Sequence, residues 1–434
     1  MVKVSLTVED VHQAIDECTL QSSTPSQTWR RIIQPEEWAL AESISNCNNP
    51  PRNNNNNNNN NDNDINDSKK PPFCFGIQSI NPLGDNTLKA SSSANNQRPM
   101  IMCTFYLAYS TWDARMLYID QVVVGDGFNV RNGDNDDCDC YSSEEVGRLY
   151  RILAKIAIKL HCARLTWKEK QIPKWSSPQH PPEFLKEWLF LEMDRTAMTA
   201  FLNTSRIDTH SIATTTKASI THDETKRVSL DRSYMEQIIN QCLDNADMTT
   251  KTQRPNVTVR LAGPNDVDSV SHLVQQLAIY ENEPDAVKAT AEDYLVDGLN
   301  AESNEALFYC LLVDVHLDGA TNTSSSSSTT TSTTTTCGMG LFYLGFTLKE
   351  GSFMYLEDLF VEESHRGLGC GTVIMERLAL IALALDCCKF TWTALDWNTP
   401  ALNFYKKMGA IVNEDGLKIT RYCGDEIRSF AAAS

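Results

Sequence analysis

MYLEDLFVEESHRGLGCGTVIMERLALIALAL, residues 354–385, divides into three parts. Met354 to Val361 mixes apolar and aromatic side chains in the manner of a strand. Arg366, Gly367, Gly369 and Gly371 then form a turn, and a helix-periodic apolar run follows directly. A glycine-rich turn at a helix N-terminus presents backbone N–H groups and the positive end of the helix dipole. Its small residues let the backbone come close to a ligand, which suits a pyrophosphate. The same pattern also makes a tight structural turn, so the motif alone leaves both readings open. The longest apolar stretch, Leu378 to Leu385, lies between Arg377 and Asp386. It is far short of the ~20 residues a membrane span needs and reads as a buried helix.

Working outward, the strand before the turn has a counterpart earlier in the chain. FYLGFTLKEGSFMYLEDLFV (residues 342–361) aligns without a gap on FYLAYSTWDARMLYIDQVVV (residues 105–124), a shift of 237 residues (342 less 105). Further on, IAIKLHCARLTW, ending at Trp167, matches LIALALDCCKFTW, ending at Trp392, now shifted by 225 (392 less 167). Such agreement implies an internal duplication. Each copy reads as an apolar strand, a polar hairpin loop, a second strand, a tight turn, a third strand, a loop, a long helix and a strand. In the first copy the leading strands are FCFGIQSI (residues 73–80) and IMCTFYLAYS; in the second they are ALFYCLLVDV (residues 306–315) and CGMGLFYLGF. The expected organisation is one domain over 1–202 with an Asn-rich insert at 48–67, a linker over 203–254, and a second domain over 255–434 with a Ser/Thr-rich loop at 321–336.

The composition agrees with two folded blocks and several unfolded inserts. The chain has 434 residues, too many for one compact core, and only 41% of them are hydrophobic. The Asn tract at 53–61, the Thr-, Ser- and charge-rich stretch at 203–254 and the tract at 321–336 bury too little apolar surface to offset their ordering entropy. They are expected as disordered or solvated loops. With 56 acidic and 38 basic residues the formal net charge is −18. That argues against a nucleic-acid or membrane-surface footprint, since both need clustered Lys and Arg. The fourteen cysteines have no CxxC spacing and read as free thiols, and no His or Cys cluster has metal-ligand spacing, so no metal is expected. The opening MVKVSLTVEDVHQ resembles neither an export nor an import signal. A cytoplasmic location is expected, with the nucleus left open.

The motif Arg366-Gly367-Leu368-Gly369-Cys370-Gly371 resembles the acyl-CoA pyrophosphate signature of the GNAT N-acetyltransferase superfamily: Gln or Arg, two residues, Gly, one residue, Gly or Ala. The likeness is closer to the spermidine/spermine and thialysine acetyltransferases. It runs in family order through VTVRLAGPNDVDSVSHLVQQLAIYENEP, TAEDYLVDGL, ALFYCLLVDV, MYLEDLFVEESHRGLGCG and LDWNTPALNFYKKMGA. The fold it implies is α/β: two tandem GNAT-like domains, each a mixed, mostly antiparallel twisted sheet flanked by helices. The cofactor it implies is acetyl-CoA. Leu359, Phe360 and Val361 would border the pantetheine arm; Arg366, Gly367, Leu368, Gly369, Cys370, Gly371 and Thr372 would cradle the pyrophosphate; Asn398 would contact the acetyl-CoA. Tyr405 matches the phenol that hands a proton to the departing thiolate, a role its ordinary pKa near 10 permits.

For the acceptor, the resemblance implies a small cationic amine. An ammonium must lose a proton before it attacks a thioester. Glu357 matches the family's acidic residue for that task; because strand side chains alternate, only one of Glu357 and Asp358 is expected in the cleft. Tyr280 and Glu281 match the family's substrate-binding pair, Thr391, Trp392 and Thr393 occupy the strand lining the amine site, and Asp415 falls near an acidic polyamine-binding position. The Gly-Trp that follows that position in the family is Gly416-Leu417 here, which puts the identity of the amine in doubt.

In the first copy the matching residues are Tyr118-Ile119-Asp120-Gln121, and GDGFNVRNGDNDDCDCYSSEE (residues 125–145) stands in place of the phosphate turn. Carboxylates there would repel a pyrophosphate by about 1 kcal/mol per close pair even in water. No NFYK-like segment follows; EWLFLEMD (residues 187–194) is the nearest. The first copy therefore reads as a catalytically dead domain. Because the family works as homodimers, the chain is expected to form either an intramolecular pseudo-dimer, the dead copy completing the live cleft, or a homodimer. The preferred reading is an acetyl-CoA-dependent N-acetyltransferase acting on a polyamine, a diamine or a lysine-, ornithine- or thialysine-like amino acid. The alternatives are a protein or peptide lysine acetyltransferase and a non-catalytic acyl-CoA-binding scaffold.

Overall fold

A computed structural model describes residues 8–22, 28–31, 74–80, 100–125, 130–131, 143–173, 176, 181–205, 207, 232–249, 256–300, 306–317, 333–347, 350–413 and 416–432. The Asn-rich insert 48–67, most of the acidic insertion, most of the 203–254 stretch and residues 321–332 lie outside these. Chain order runs α1 (Val8–Ser22), β1 (Thr28–Arg31), β2 (Cys74–Ile80), β3 (Met100–Ser110), β4 (Ala114–Gly125), β5 (Val130–Arg131), α2 (Ser143–Lys159), β6 (Arg164–Glu169), β7 (Glu183–Leu185), β8 (Trp188–Asp194), α3 (Arg195–Thr204) and α4 (Arg232–Thr249). It continues through β9 (Val257–Leu261), α5 (Val267–Tyr280), α6 (Ala291–Tyr294), β10 (Tyr309–Leu317), β11 (Thr333–Thr347), β12 (Gly351–Val361), α7 (Cys370–Ala384), β13 (Lys389–Leu395), α8 (Thr399–Lys407), β14 (Ile411–Val412), β15 (Lys418–Cys423) and α9 (Gly424–Ala432).

These strands form two mixed sheets flanked by helices, each antiparallel except at one central pair, β4 with β6 and β12 with β13. Sheet membership does not follow chain order. The first sheet runs β1-β2-β3-β4-β6-β15-β7, with β5 beside β4, so a strand from the end of the chain sits between two from the first half. The second runs β14-β8-β13-β12-β11-β10-β9, and β8 from the first half lies between two late strands. The halves thus exchange strands reciprocally.

The central hairpins of the two sheets match in detail. The register of β3 on β4 shifts between Thr104 and Phe105, and that of β11 on β12 shifts between Leu341 and Phe342, the positions paired by the 237-residue offset. Beyond each bulge the same two tyrosines stack, Tyr106 on Tyr118 and Tyr343 on Tyr355, each with ring centroids 5.0 Å apart. Near-continuous apolar runs explain both sheets, whose central strands are covered on both faces: Phe105 to Tyr109 and Met116 to Ile119 are buried in one, and Leu341 to Tyr343 and Phe353 to Leu356 in the other.

Helix α7 is buried along most of its length, Glu376 and Arg377 included, and is covered on both sides. One side packs on β11, where Gly340 admits the helix so closely that an added Cβ would stand 2.5 Å from Ile374. The other side is covered by α3 and α4. Helix α4 lies inside the stretch expected as a linker. Its Met235, Ile238, Ile239, Cys242 and Leu243 are buried in the second core, and Arg232 donates to the Leu299 carbonyl at 2.6 Å. Four threonines of the expected Ser/Thr loop, Thr333 to Thr336, instead extend β11, paired with residues 314–317. Their β-branched side chains suit a strand, and Thr336 donates to Asp314 at 2.6 Å.

A buried ion pair between Arg115 and Asp297, 2.7 Å apart, joins the halves. Beside it the Tyr294 hydroxyl donates to the Thr111 carbonyl at 2.7 Å, and the backbone N–H groups of Lys288 and Ala289 donate to the Trp112 carbonyl at 2.6 and 2.9 Å. The β3–β4 turn of the first half is thereby fixed against the second.

Candidate active site

Strands β12 and β13 pair only at Met354–Leu356 with Phe390–Trp392. Beyond Leu356 they part, and a cavity of about 860 Å³ opens beside Glu357 to Val361. At one end lie Arg366, Gly367, Gly369, Cys370, Gly371 and Thr372. Gly367 and Gly369 hold φ values of +82° and +86°, which L side chains adopt only with strain, so both turns depend on glycine. The first turn of α7 leaves its N–H groups without intrahelical acceptors, directed at the cavity end. Open backbone, glycine at the close approach and a helix N-terminus together fit a pyrophosphate. Leu359, Phe360 and Val361 line the passage between this cradle and the middle of the cavity, whereas Leu368 is exposed and lies outside the lining.

One network of contacts ties the cradle to the rest. Arg366 donates from Nε to the Val361 carbonyl at 3.0 Å, and its guanidinium lies over the Tyr280 ring, 4.9 Å from the centroid. Tyr280 in turn donates to Asn398 Oδ1 at 3.1 Å. Asn398 caps α8 by accepting from the Ala401 N–H at 3.3 Å. One turn later that helix delivers Tyr405 to the cavity, held between Trp392 and Phe404. Burial, then the Glu281 and Asp358 charges, push the Tyr405 hydroxyl well above its ordinary pKa, so it stays protonated.

Glu357 and Asp358 both line the cavity, contrary to the alternation expected from a regular strand. The register shift is the cause: Leu341 faces Asp358 and Phe342 faces Leu356, which leaves Glu357 as the extra residue of a β-bulge. Burial pushes both carboxyls up, and for Glu357 the Asp358 charge adds to it. Opposing this are Arg164, which favours ionisation of both, and the hydroxyls of Ser110 beside Glu357 and Thr111 beside Asp358. Asp358 Oδ2 and Thr111 Oγ1 are nevertheless buried without a hydrogen-bond partner of good geometry. Glu281 completes the cluster, pushed up to about 8 by burial and by Asp358 and Glu283.

Of the expected amine-site strand, Thr393 lines the cavity and shares a 3.2 Å hydrogen bond with the Tyr355 hydroxyl. Thr391 is buried below it, donating to the Leu191 carbonyl of β8 at 2.9 Å, and Trp392 lies on the opposite face against Tyr405. Asp415 lies outside the described residues. The remaining wall belongs to residues that the sequence does not single out: Ser110, Thr111, Trp112, Asp113 and Arg164 from the first half, and Arg421 from β15. Among the described residues no cluster of three or more His, Cys, Asp or Glu has the placement to hold a metal ion, and no helix is long and apolar enough to cross a membrane.

A sheet whose middle strands part beside a phosphate-type turn, above a pocket of ionisable groups, is that of an acyl-group transferase. The acetyltransferase (GNAT) family model matches residues 324–410. Over 178 residues, 41% of this chain and 98% of the relative, the sequence is 30% identical to thialysine N-epsilon-acetyltransferase of Sus scrofa. It is 30% identical over 175 residues to spermidine/spermine N(1)-acetyltransferase-like protein 1 of Homo sapiens, covering 40% of this chain and 23% of that one. With L-ornithine N5-acetyltransferase NATA1 of Arabidopsis thaliana it shares 27% identity over 200 residues, 39% of this chain and 86% of the relative. The chain belongs to the GNAT family and is an N-acetyltransferase.

Proposed function

We propose that the protein moves the acetyl group of acetyl-CoA to a primary amine of a small cationic substrate, and that residues 255–434 carry the chemistry while residues 1–202, a duplicated and catalytically silent copy, wall the cleft. The observation that carries this reading is a single cavity running from the glycine cradle to a cluster of three carboxyls. When bound, acetyl-CoA supplies the acetyl group as a thioester. The cradle residues Gly367, Gly369, Cys370, Gly371 and Thr372 would receive the pyrophosphate, with Arg366 held in place by the Val361 carbonyl and the Tyr280 ring.

Glu357 takes the proton from the incoming ammonium, and Asp358, beside it through the bulge, holds the cation in position. A carboxyl raised by burial and by the neighbouring Asp358 charge is a stronger base than an ordinary one, which is what removing a proton from an amine requires. Tyr405, protonated and buried, donates to the departing thiolate. The acidic cluster favours a cation, and the turn Ser110 to Asp113 together with the β7–β8 region walls the cavity on its far side. Both features support a small amine over a protein lysine, whose peptide needs an open groove. They also speak against a scaffold, which has no use for a raised carboxyl and a protonated phenol facing one space.

A thiol-release assay across spermidine, spermine, putrescine, lysine, ornithine and thialysine tests the reading. Turnover of at least one of these is expected, with Tyr405→Phe lowering kcat on the order of a hundredfold at little change in acetyl-CoA affinity. Acetyl-CoA binding without turnover of any amine would return the protein to the scaffold class.

A further inference from the structure

The cavity has two electrically different ends on the acceptor side. Near the cradle stand the carboxyls Glu281, Glu357 and Asp358. Opposite them is one face of the first sheet, where β15 lies between β6 and β7 and presents Arg164, Thr166, Glu183, Arg421 and Cys423 to the same space. Arg164 pairs across the ladder with Cys423, and Arg421 with Thr166, so the two arginines sit diagonally on adjacent strands with small side chains beside them. Both are largely buried, with 13% and 22% of their side chains exposed.

Each guanidinium is held by its Nε alone. Arg164 Nε donates to Asp113, and Arg421 Nε donates to Glu183 at 2.6 Å. Their terminal nitrogens have no acceptor among the described residues, although they face a cavity. A guanidinium presents five N–H donors in a fixed fork that matches a carboxylate, and leaving such donors unmet in a half-buried place is unfavourable. A polyamine extended into this face would meet two arginines and Lys288, with Asp113 and Glu183 already paired and Glu187 as the further lining carboxylate. It would gain less there than an anion. A carboxylate would gain charge-assisted hydrogen bonds from two forks.

We propose that Arg164 and Arg421 bind the α-carboxylate of the acetyl acceptor, making it an α-amino acid with a second, terminal amine rather than a polyamine. Glu183, 43% exposed, accepts from the α-ammonium, and the terminal amine reaches Glu357 and Asp358. Arg164 acts on both of those carboxyls electrostatically, so the two ends lie within the span of one small molecule. The inference rests on the acetyl-transfer reading above and adds specificity-determining residues supplied by strand exchange.

Lysine and cadaverine differ only in the α-carboxylate, as do ornithine and putrescine, and these pairs test the proposal on the intact chain. The expected result is a kcat/KM for the amino acid above that of its decarboxylated partner on the order of ten- to a hundredfold, expressed mainly in KM. Arg421→Gln should bring that ratio close to one, and Arg421→Lys, which keeps the charge but loses the fork, should leave it intermediate. Equal or better use of cadaverine by the unaltered protein overturns the carboxylate site while leaving acetyl transfer to amines standing. Turnover of neither member of each pair, with acetyl-CoA bound, overturns both.

Discussion

The two central hairpins share a bulge at the same offset and a stacked tyrosine pair at the same distance, yet they present different chemistry. In the first sheet the extra residue is Asp120, whose carboxylate accepts from the Thr104 hydroxyl at 3.1 Å and so finds its partner within its own hairpin. In the second sheet it is Glu357, and the residue matching Thr104 is Leu341, which offers nothing. Glu357 turns to the cavity, where its neighbours are Asp358 and, from the other half, Ser110 and Arg164. The same backbone device thus occurs in both sheets, once closed on itself and once open to the cavity. A bulge positions a side chain; the residue across the ladder decides whether it is available.

The sharpest way to break the comparison is to separate the halves. If they were independent, residues 255–434 would fold and work alone. They lack β8, which lies between β13 and β14, and the helix α3 that covers α7. The expected outcome is an insoluble or molten fragment with no detectable acetyl transfer, checked by near-UV circular dichroism and the thiol-release assay. Next in size, Glu357→Gln should lower kcat by about 10²- to 10⁴-fold, whereas Asp120→Asn, at the same place in the other bulge, should change it less than twofold. Steady-state kinetics of the two variants side by side decides whether only the second bulge is chemical.

The smallest effect is on stability. Glu281 is raised in the fold, to about 8, so the folded state holds its proton more tightly than the unfolded chain does. Its contribution is intact below its ordinary pKa and is lost as pH climbs towards and past 8, because ionising it then costs more in the fold. Glu281→Gln should therefore raise Tm relative to the unaltered protein at pH 9 and leave the difference near zero or reversed at pH 5, read by thermal melts at both values.

Those parts of the candidate site that are local in the chain were legible in the sequence. The cradle from Arg366 to Thr372, Asn398 and Tyr405 each follow from a short motif on one strand or helix, and the structure lines one cavity with all of them except Leu368. Rules of regular structure misled where the structure is irregular: alternation separates Glu357 from Asp358, and a single inserted residue reunites them. Thr333 to Thr336 share the composition of the tract that precedes them, yet they pair with residues 314–317 as part of β11. Ser110, Thr111, Arg164 and Arg421 could not be found by motif, because their relevance arises only when one half reaches into the other. In the stretch between the halves, α4 has its apolar stripe diluted among polar residues, and its role depends on α7 needing a second cover.

Strand exchange also sets an order of events during synthesis. Strand β7 joins its sheet only through β15, whose first residue, Lys418, is made 249 residues after β6 ends at Glu169 (418 less 169). At about 5–20 residues per second, the first sheet waits on the order of ten seconds or more with the edge of β6 uncovered. Until then that edge, carrying Leu165 and Trp167, which the finished fold buries, is an open template for another chain. The newborn protein is therefore most vulnerable to misassembly in its first sheet, and it is the arrival of β15 that ends the exposure.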